Sequence, residues 1–158
     1  MSVCRGILAR LLQIASVAGA QTHHDEASLM NKQIVLDFVR AINEHHVDNI
    51  CALMTDDHRF IDSHGNETVG KDKMKSAWLG YLNWFPDYKI EITQMFIDGD
   101  TVAAFGFAGG SLQGSGKKED TWRLPAAWRA IVQNGKVALW QVYADAKIPF
   151  DILSKLKK

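Results

Sequence analysis

The chain is 158 residues long, 47% hydrophobic and 23% charged, with equal numbers of acidic and basic residues and a formal net charge of zero. That size and composition fit one globular domain with a substantial core. With no basic excess and no block of like charge, the chain has little with which to hold a phosphate backbone. No apolar run reaches the ~20 residues of a membrane helix, so neither nucleic acid nor a membrane is an expected partner.

The first 27 residues read as a leader or disordered segment apart from the fold, and residues 28–158 as the domain. Arg5 and Arg10 precede Leu11-Leu12-Gln13-Ile14, and Ala18-Gly19-Ala20 fits a cleavage site. Cleaved targeting, to the exterior or an organelle, is the preferred reading. A transit peptide, or a cytoplasmic protein whose translation starts at Met30, stays open. Cys4 and Cys51 are the only cysteines, with no Cys-x-x-Cys pair, so a structural disulfide is not expected and Cys51 reads as a small buried hydrophobe.

From Leu29 to Ile42, apolar residues recur at spacings of three and four, predicting an amphipathic helix capped by Ser28 or Asn31. A short helix over Val47–Met54 should follow. Thr55 to Gly65 then reads as a strand running into a turn, with His58, Phe60 and Asp62 sharing one face. A carboxylate on an apolar face is the raw material of a general base, although Asp62-Ser63-His64-Gly65 is also good turn chemistry.

Lys71 to Trp84 reads as a third helix, stopped by Phe85-Pro86-Asp87. Strands are expected over Tyr88–Ile97 and Thr101–Phe107, joined at Asp98-Gly99-Asp100. Gly109–Gly116 reads as a flexible loop. Thr121–Val132 should be a strand with Pro125 at an edge or bulge, turning at Asn134-Gly135 into Lys136–Ala144. A closing helix is expected over Ile148–Leu156. Helices first and then a curved antiparallel sheet make an α+β domain.

Several segments then carry a resemblance: Phe38-Val39-Arg40-Ala41-Ile42-Asn43, Ala52 to Asp57, Gly70, Phe85-Pro86-Asp87, Gly99 to Val102, and Asn134 to Val137 with Trp140. In order and spacing they resemble the nuclear-transport-factor-2-like superfamily, a cone-shaped fold, and within it the SnoaL-like and ketosteroid-isomerase-related branch. The resemblance implies a hydrophobic pocket, a homodimer, no cofactor and no metal.

It also implies that Asp62 stands where the isomerases keep their base. Phe38 replaces the tyrosine of their oxyanion hole and Ala127 falls near its acid. One lost oxyanion donor typically costs about 10²–10³ in rate, so steroid isomerisation itself is disfavoured. Epoxide-hydrolase relatives need an Asp-Arg-Asp set, and Thr101–Phe107 carries no charge. Polyketide-cyclase relatives have an aspartate near the end of the last strand, where this chain has Asp145, which could equally cap the closing helix.

The candidate catalytic residues are therefore Asp62, Asp145 and His64. Phe38, Phe60, Trp78, Trp84, Phe105, Trp128 and Tyr143 are the candidate lining for a small hydrophobic molecule. Three functions fit: an acid/base isomerase, cyclase or dehydratase; a non-catalytic binding module; and a dimerising domain with a filled interior.

Overall fold

The computed structural model describes residues 26–157; Cys4 and the first 25 of the 27 leader residues lie outside them. Residues 26–43 are helical (α1) and bury Val35, Phe38, Val39 and Ile42, one stripe at helical spacing. Ser28 and Asn31 lie inside this helix and cap nothing. Asn31 instead donates its side-chain amide to the Gly99 carbonyl at 3.0 Å, tying α1 to a hairpin tip.

Helix α2 (Val47–Ala52) leads into β1 (Met54–Ile61) and the short β2 (Glu67–Val69), followed by α3 (Lys71–Trp84). Four strands complete a six-stranded sheet: β3 (Lys89–Asp98), β4 (Thr101–Ser111), β5 (Thr121–Gln133) and β6 (Lys136–Ala144). Helix α4 (Lys147–Leu153) closes the chain. No described helix is long and apolar enough to cross a membrane.

The strand order is β2-β1-β6-β5-β4-β3. The sheet is mixed rather than wholly antiparallel, because β1 runs parallel to β6 with Phe60 opposite Trp140 and Ile61 opposite Gln141. A parallel pair needs a long crossover, and here everything between Ile61 and Lys136 supplies it.

Strand β4 also runs further than expected, through Gly109 and Gly110 to Ser111. Its glycines are there for close approach. A Cβ on Gly106 would stand 1.8 Å from the Glu91 carbonyl oxygen, beside the bulge between Ile92 and Gln94 on β3. Pro125 sits where β5 has run past the end of β6: it pairs with Phe107 of β4, and β6 begins pairing only at Ala126. An interior strand is locally an edge there, which is where proline is tolerated.

Alternate residues of the sheet face α1 and α3. Trp128 and Trp140 stack at 6.1 Å and 22°, and Phe38 meets Trp140 edge-on at 5.3 Å. These rings close one half of the concave face with close-packed core.

His58 is 0% exposed, its Nδ1–H donating to the Val137 carbonyl at 2.7 Å while Nε2 has no partner among the described residues. Burial holds it below its ordinary value of 6.5, outweighing the pull of that carbonyl and of Asp57. As pH falls through the ordinary value, the unfolded chain takes up a proton that the folded chain refuses. Stability tied to His58 is therefore full above that value and lost below it. Urea denaturation at about pH 7.5 and about pH 5.5 should show a larger loss on acidification for wild type than for His58→Gln; equal losses would contradict the assignment.

Candidate functional site

Beyond Trp140 the concave face is not filled. Helix α3 spans it from above, and α4 folds back across the end of β6. Between them lies a cavity of about 370 Å³, within the range of small-molecule sites. Its floor is made by inward residues at period two, Trp122 and Leu124 on β5 and Trp140, Val142 and Ala144 on β6. Met74, Trp78, Tyr81 and Trp84 come from α3, and Pro149, Phe150 and Leu153 from α4.

Asp62 and Asp145 both line this cavity. They follow the neighbouring strands β1 and β6, so the parallel pairing brings them to one end. Their circumstances differ. Asp62 Oδ1 accepts the backbone N–H groups of His64 (2.8 Å) and Asn66 (2.9 Å), and Oδ2 accepts the Asn66 side-chain amide at 2.9 Å. Burial pushes this carboxyl up, but the hydrogen bonds from Asn66 and His64 together outweigh it and leave it below the ordinary carboxylate value. Asp62 is thus a turn residue and a cavity residue at once. Asp145 accepts only the Lys147 N–H, on Oδ1 at 3.0 Å, and Oδ2 has no partner among the described residues.

His64 does not line the cavity. It is exposed, and its ring meets Phe150 of α4 edge-on at 4.9 Å, buttressing the helix that closes the mouth. Of the expected lining, Phe60, Trp78 and Trp84 are in the wall. Phe38 and Trp128 are not, because they are consumed in the packed core behind Trp140. Phe105 and Tyr143 are 43% and 50% exposed, on the outer face of the sheet, where they flank Ala127 in register. Ala127 therefore points away from the cavity and cannot stand in an oxyanion position.

Sequence reasoning passed over Tyr88 and Trp122. Both sit at strand starts, Tyr88 just after Phe85-Pro86-Asp87 and Trp122 two residues before the inward Leu124. Two polar clamps fix Tyr88. Upstream, Asp87 accepts the Ser111 N–H at 2.7 Å and its hydroxyl at 2.5 Å. Burial raises the Asp87 carboxyl, and those bonds with Ser111 outweigh it and keep it below its usual value. Downstream, the Asn43 side chain pairs with both the N–H and the carbonyl of Ile90, each at 2.8 Å. His45, held at φ 58°, donates Nε2–H to the Tyr88 carbonyl at 2.7 Å. His45 is thus a structural donor.

Among the described residues no group of three or more His, Cys, Asp or Glu is arranged to hold a metal ion. Five aromatic rings, Trp78, Tyr81, Phe85, Tyr88 and Trp122, form a continuous run of edge and tilted contacts with centroids 5.0–6.1 Å apart.

A model of the SnoaL-like domain matches residues 35–140. Solved structures give the same fold. A SnoaL-like polyketide cyclase from Jannaschia sp. CCS1 superposes with a TM-score of 0.69 at 16% identity, covering 81% of this chain and 94% of its own. An LEH-like epoxide hydrolase from M. tuberculosis gives 0.68 at 16% identity, covering 81% and 92%. A nuclear-transport-factor-2-like protein of unknown function from Cytophaga hutchinsonii gives 0.60 at 16%, covering 76% and 94%. Comparison with curated proteins returns no match. The fold is accordingly the nuclear-transport-factor-2-like, ketosteroid-isomerase-like α+β fold.

The hydrogen bonding of Asp62 sets a stability test. Asp62→Ala, which leaves the amides of His64 and Asn66 without their acceptor, should cost about 1–2 kcal/mol in denaturant titration. Asp62→Asn keeps one acceptor oxygen and should cost less than half as much. Equal, negligible losses in both would mean that the turn does not depend on this side chain.

Proposed function

The chain belongs to the SnoaL-like domain family, and we propose that it uses this cavity for proton transfer on a small, flat, apolar carbonyl compound. The observation that carries the reading is the pair of carboxylates at one end of an otherwise mostly apolar cavity. Asp145 is assigned the base: it is an exposed cavity-lining residue whose Oδ2 bonds to no protein group among the described residues, whereas Asp62 has committed both oxygens to its turn. In the step, the Asp145 carboxylate takes a proton from the carbon beside the carbonyl. The C–H electron pair becomes the C=C bond of an enolate, and the carbonyl oxygen takes the charge. Returning the proton to a different carbon is an isomerisation; attack of the enolate carbon on a second carbonyl is a cyclisation.

Hydrolysis of an epoxide is the weaker alternative. Water activation in that branch needs an arginine between two aspartates, and among the described residues lining this cavity there is no arginine. Arg123, the nearest basic residue to Trp122 in sequence, instead lies over the Phe107 ring at 3.7 Å and pairs with Glu91 at 2.8 Å. A non-catalytic binding module is the second reading, favoured by the full commitment of Asp62 to its own turn.

Deuterium exchange separates the two. Incubated in heavy water with 2-acetylnaphthalene, the protein should speed exchange of the methyl protons, read by proton NMR. Asp145→Asn should lower that rate by about 10² or more, and Asp62→Asn by less than about tenfold. Full exchange activity in Asp145→Asn would contradict the assignment. Saturable binding with no exchange above buffer would establish the binding module instead.

A further inference from the structure

The cavity wall opposite the carboxylates carries hydrogen-bond donors with nothing to receive them. Tyr88 is 7% exposed and Tyr81 half-buried; both line the cavity, and among the described residues neither hydroxyl bonds to any protein group. The same stretch of wall holds Trp78 and Trp122, each 6% exposed, whose indole N–H groups are buried without a partner. The two indole N–H groups are shut away from the cavity, as that of Trp128 is in the core, whereas the two tyrosine hydroxyls are accessible and have no protein acceptor among the described residues, which leaves them free to meet a ligand.

A tyrosine hydroxyl with no protein acceptor can donate to an oxygen of a ligand. Among the described residues the carboxylates lining the cavity are Asp62 and Asp145, which follow β1 and β6, while Tyr88 immediately precedes β3 at the far edge of the sheet. We propose that Tyr88, with Tyr81 beside it, is the anchor for an acceptor oxygen of the ligand, so that the ligand binds with its carbonyl toward β3 and α3 and its remaining length toward Asp145. The rings of Trp78 and Trp122 pack beside that position.

Three features support Tyr88 as the principal donor. Its ring is locked edge-on to Tyr81 at 5.0 Å and tilted against Trp122 at 6.0 Å. The backbone on both sides is clamped, by Asp87 on Ser111 and by Asn43 on Ile90, a supporting shell of the kind that preorganises a site. Burial raises the hydroxyls of both tyrosines above their ordinary value, so they stay neutral and able to donate across the working pH range. Phe38, where the resemblance expected a donating tyrosine, is therefore replaced in function from a different element.

The inference rests on the carbonyl-ligand reading above, but not on catalysis. Its probes are 2-acetylnaphthalene and the near-isosteric alkene 2-isopropenylnaphthalene, which differ in the presence of the oxygen. Titration calorimetry should show wild type binding the ketone about tenfold more tightly than the alkene. Tyr88→Phe, which keeps the ring and its contacts, should erase that preference, and Tyr81→Phe should reduce it. The infrared carbonyl band of the bound ketone should lie at lower frequency in wild type than in Tyr88→Phe, a shift that a merely structural hydroxyl would not produce. Equal affinities for the two probes in wild type, an unchanged carbonyl band in Tyr88→Phe, or no binding of the ketone would each overturn the anchor. Loss of the anchor with exchange still dependent on Asp145 would leave the reaction reading standing, and the converse result would leave the anchor standing.

Discussion

Trp140 divides the interior of this protein. One side of it belongs to the core, stacked on Trp128 and met edge-on by Phe38; the other belongs to the cavity wall. A curved sheet has more concave face than one helix can cover, and α1 covers only the half behind Trp140. The other half is spanned by α3 and α4 at a distance that leaves about 370 Å³. A Leu-sized filler in that space would bury more apolar surface, so the opening is a feature that packing alone does not favour. Everything said of function depends on that partition between filled and open.

Polar side chains around the cavity divide between scaffold and site. Asp62, Asp87, Asn43 and His45 are occupied with backbone groups and hold segments in place. Asp145 Oδ2 and the hydroxyls of Tyr81 and Tyr88 have no such duty among the described residues. A side chain already hydrogen-bonded at full valence must break those bonds before it can act on a ligand, whereas a free one need not. That contrast is the ground for proposing Asp145 rather than Asp62 as the base and Tyr88 as the ligand's donor.

Local features were legible in the sequence. The stripe of Val35, Phe38, Val39 and Ile42, the stop at Pro86 and the turn at Asn134-Gly135 are written in neighbouring residues, and period two put His58, Phe60 and Asp62 on one face. Features that depend on distant segments were not. Nothing near β1 says that it lies parallel to β6, and nothing near Phe38 or Trp128 distinguishes a core ring from a lining ring. Proline itself announced an edge or a bulge at position 125, but that the edge arises because β6 ends beside it is set by a later strand. Tyr88 went unread because its importance comes from Asn43, His45 and Ser111, far away in the chain.

The most direct test of the account is a crystal structure with 2-acetylnaphthalene bound. The account predicts the naphthyl rings in the cavity against Trp122 and Trp140, the carbonyl oxygen about 2.7 Å from the Tyr88 hydroxyl, and Asp145 on the opposite side of the ligand. A ligand seated outside the cavity, or inside it with its oxygen turned away from Tyr88, would contradict it.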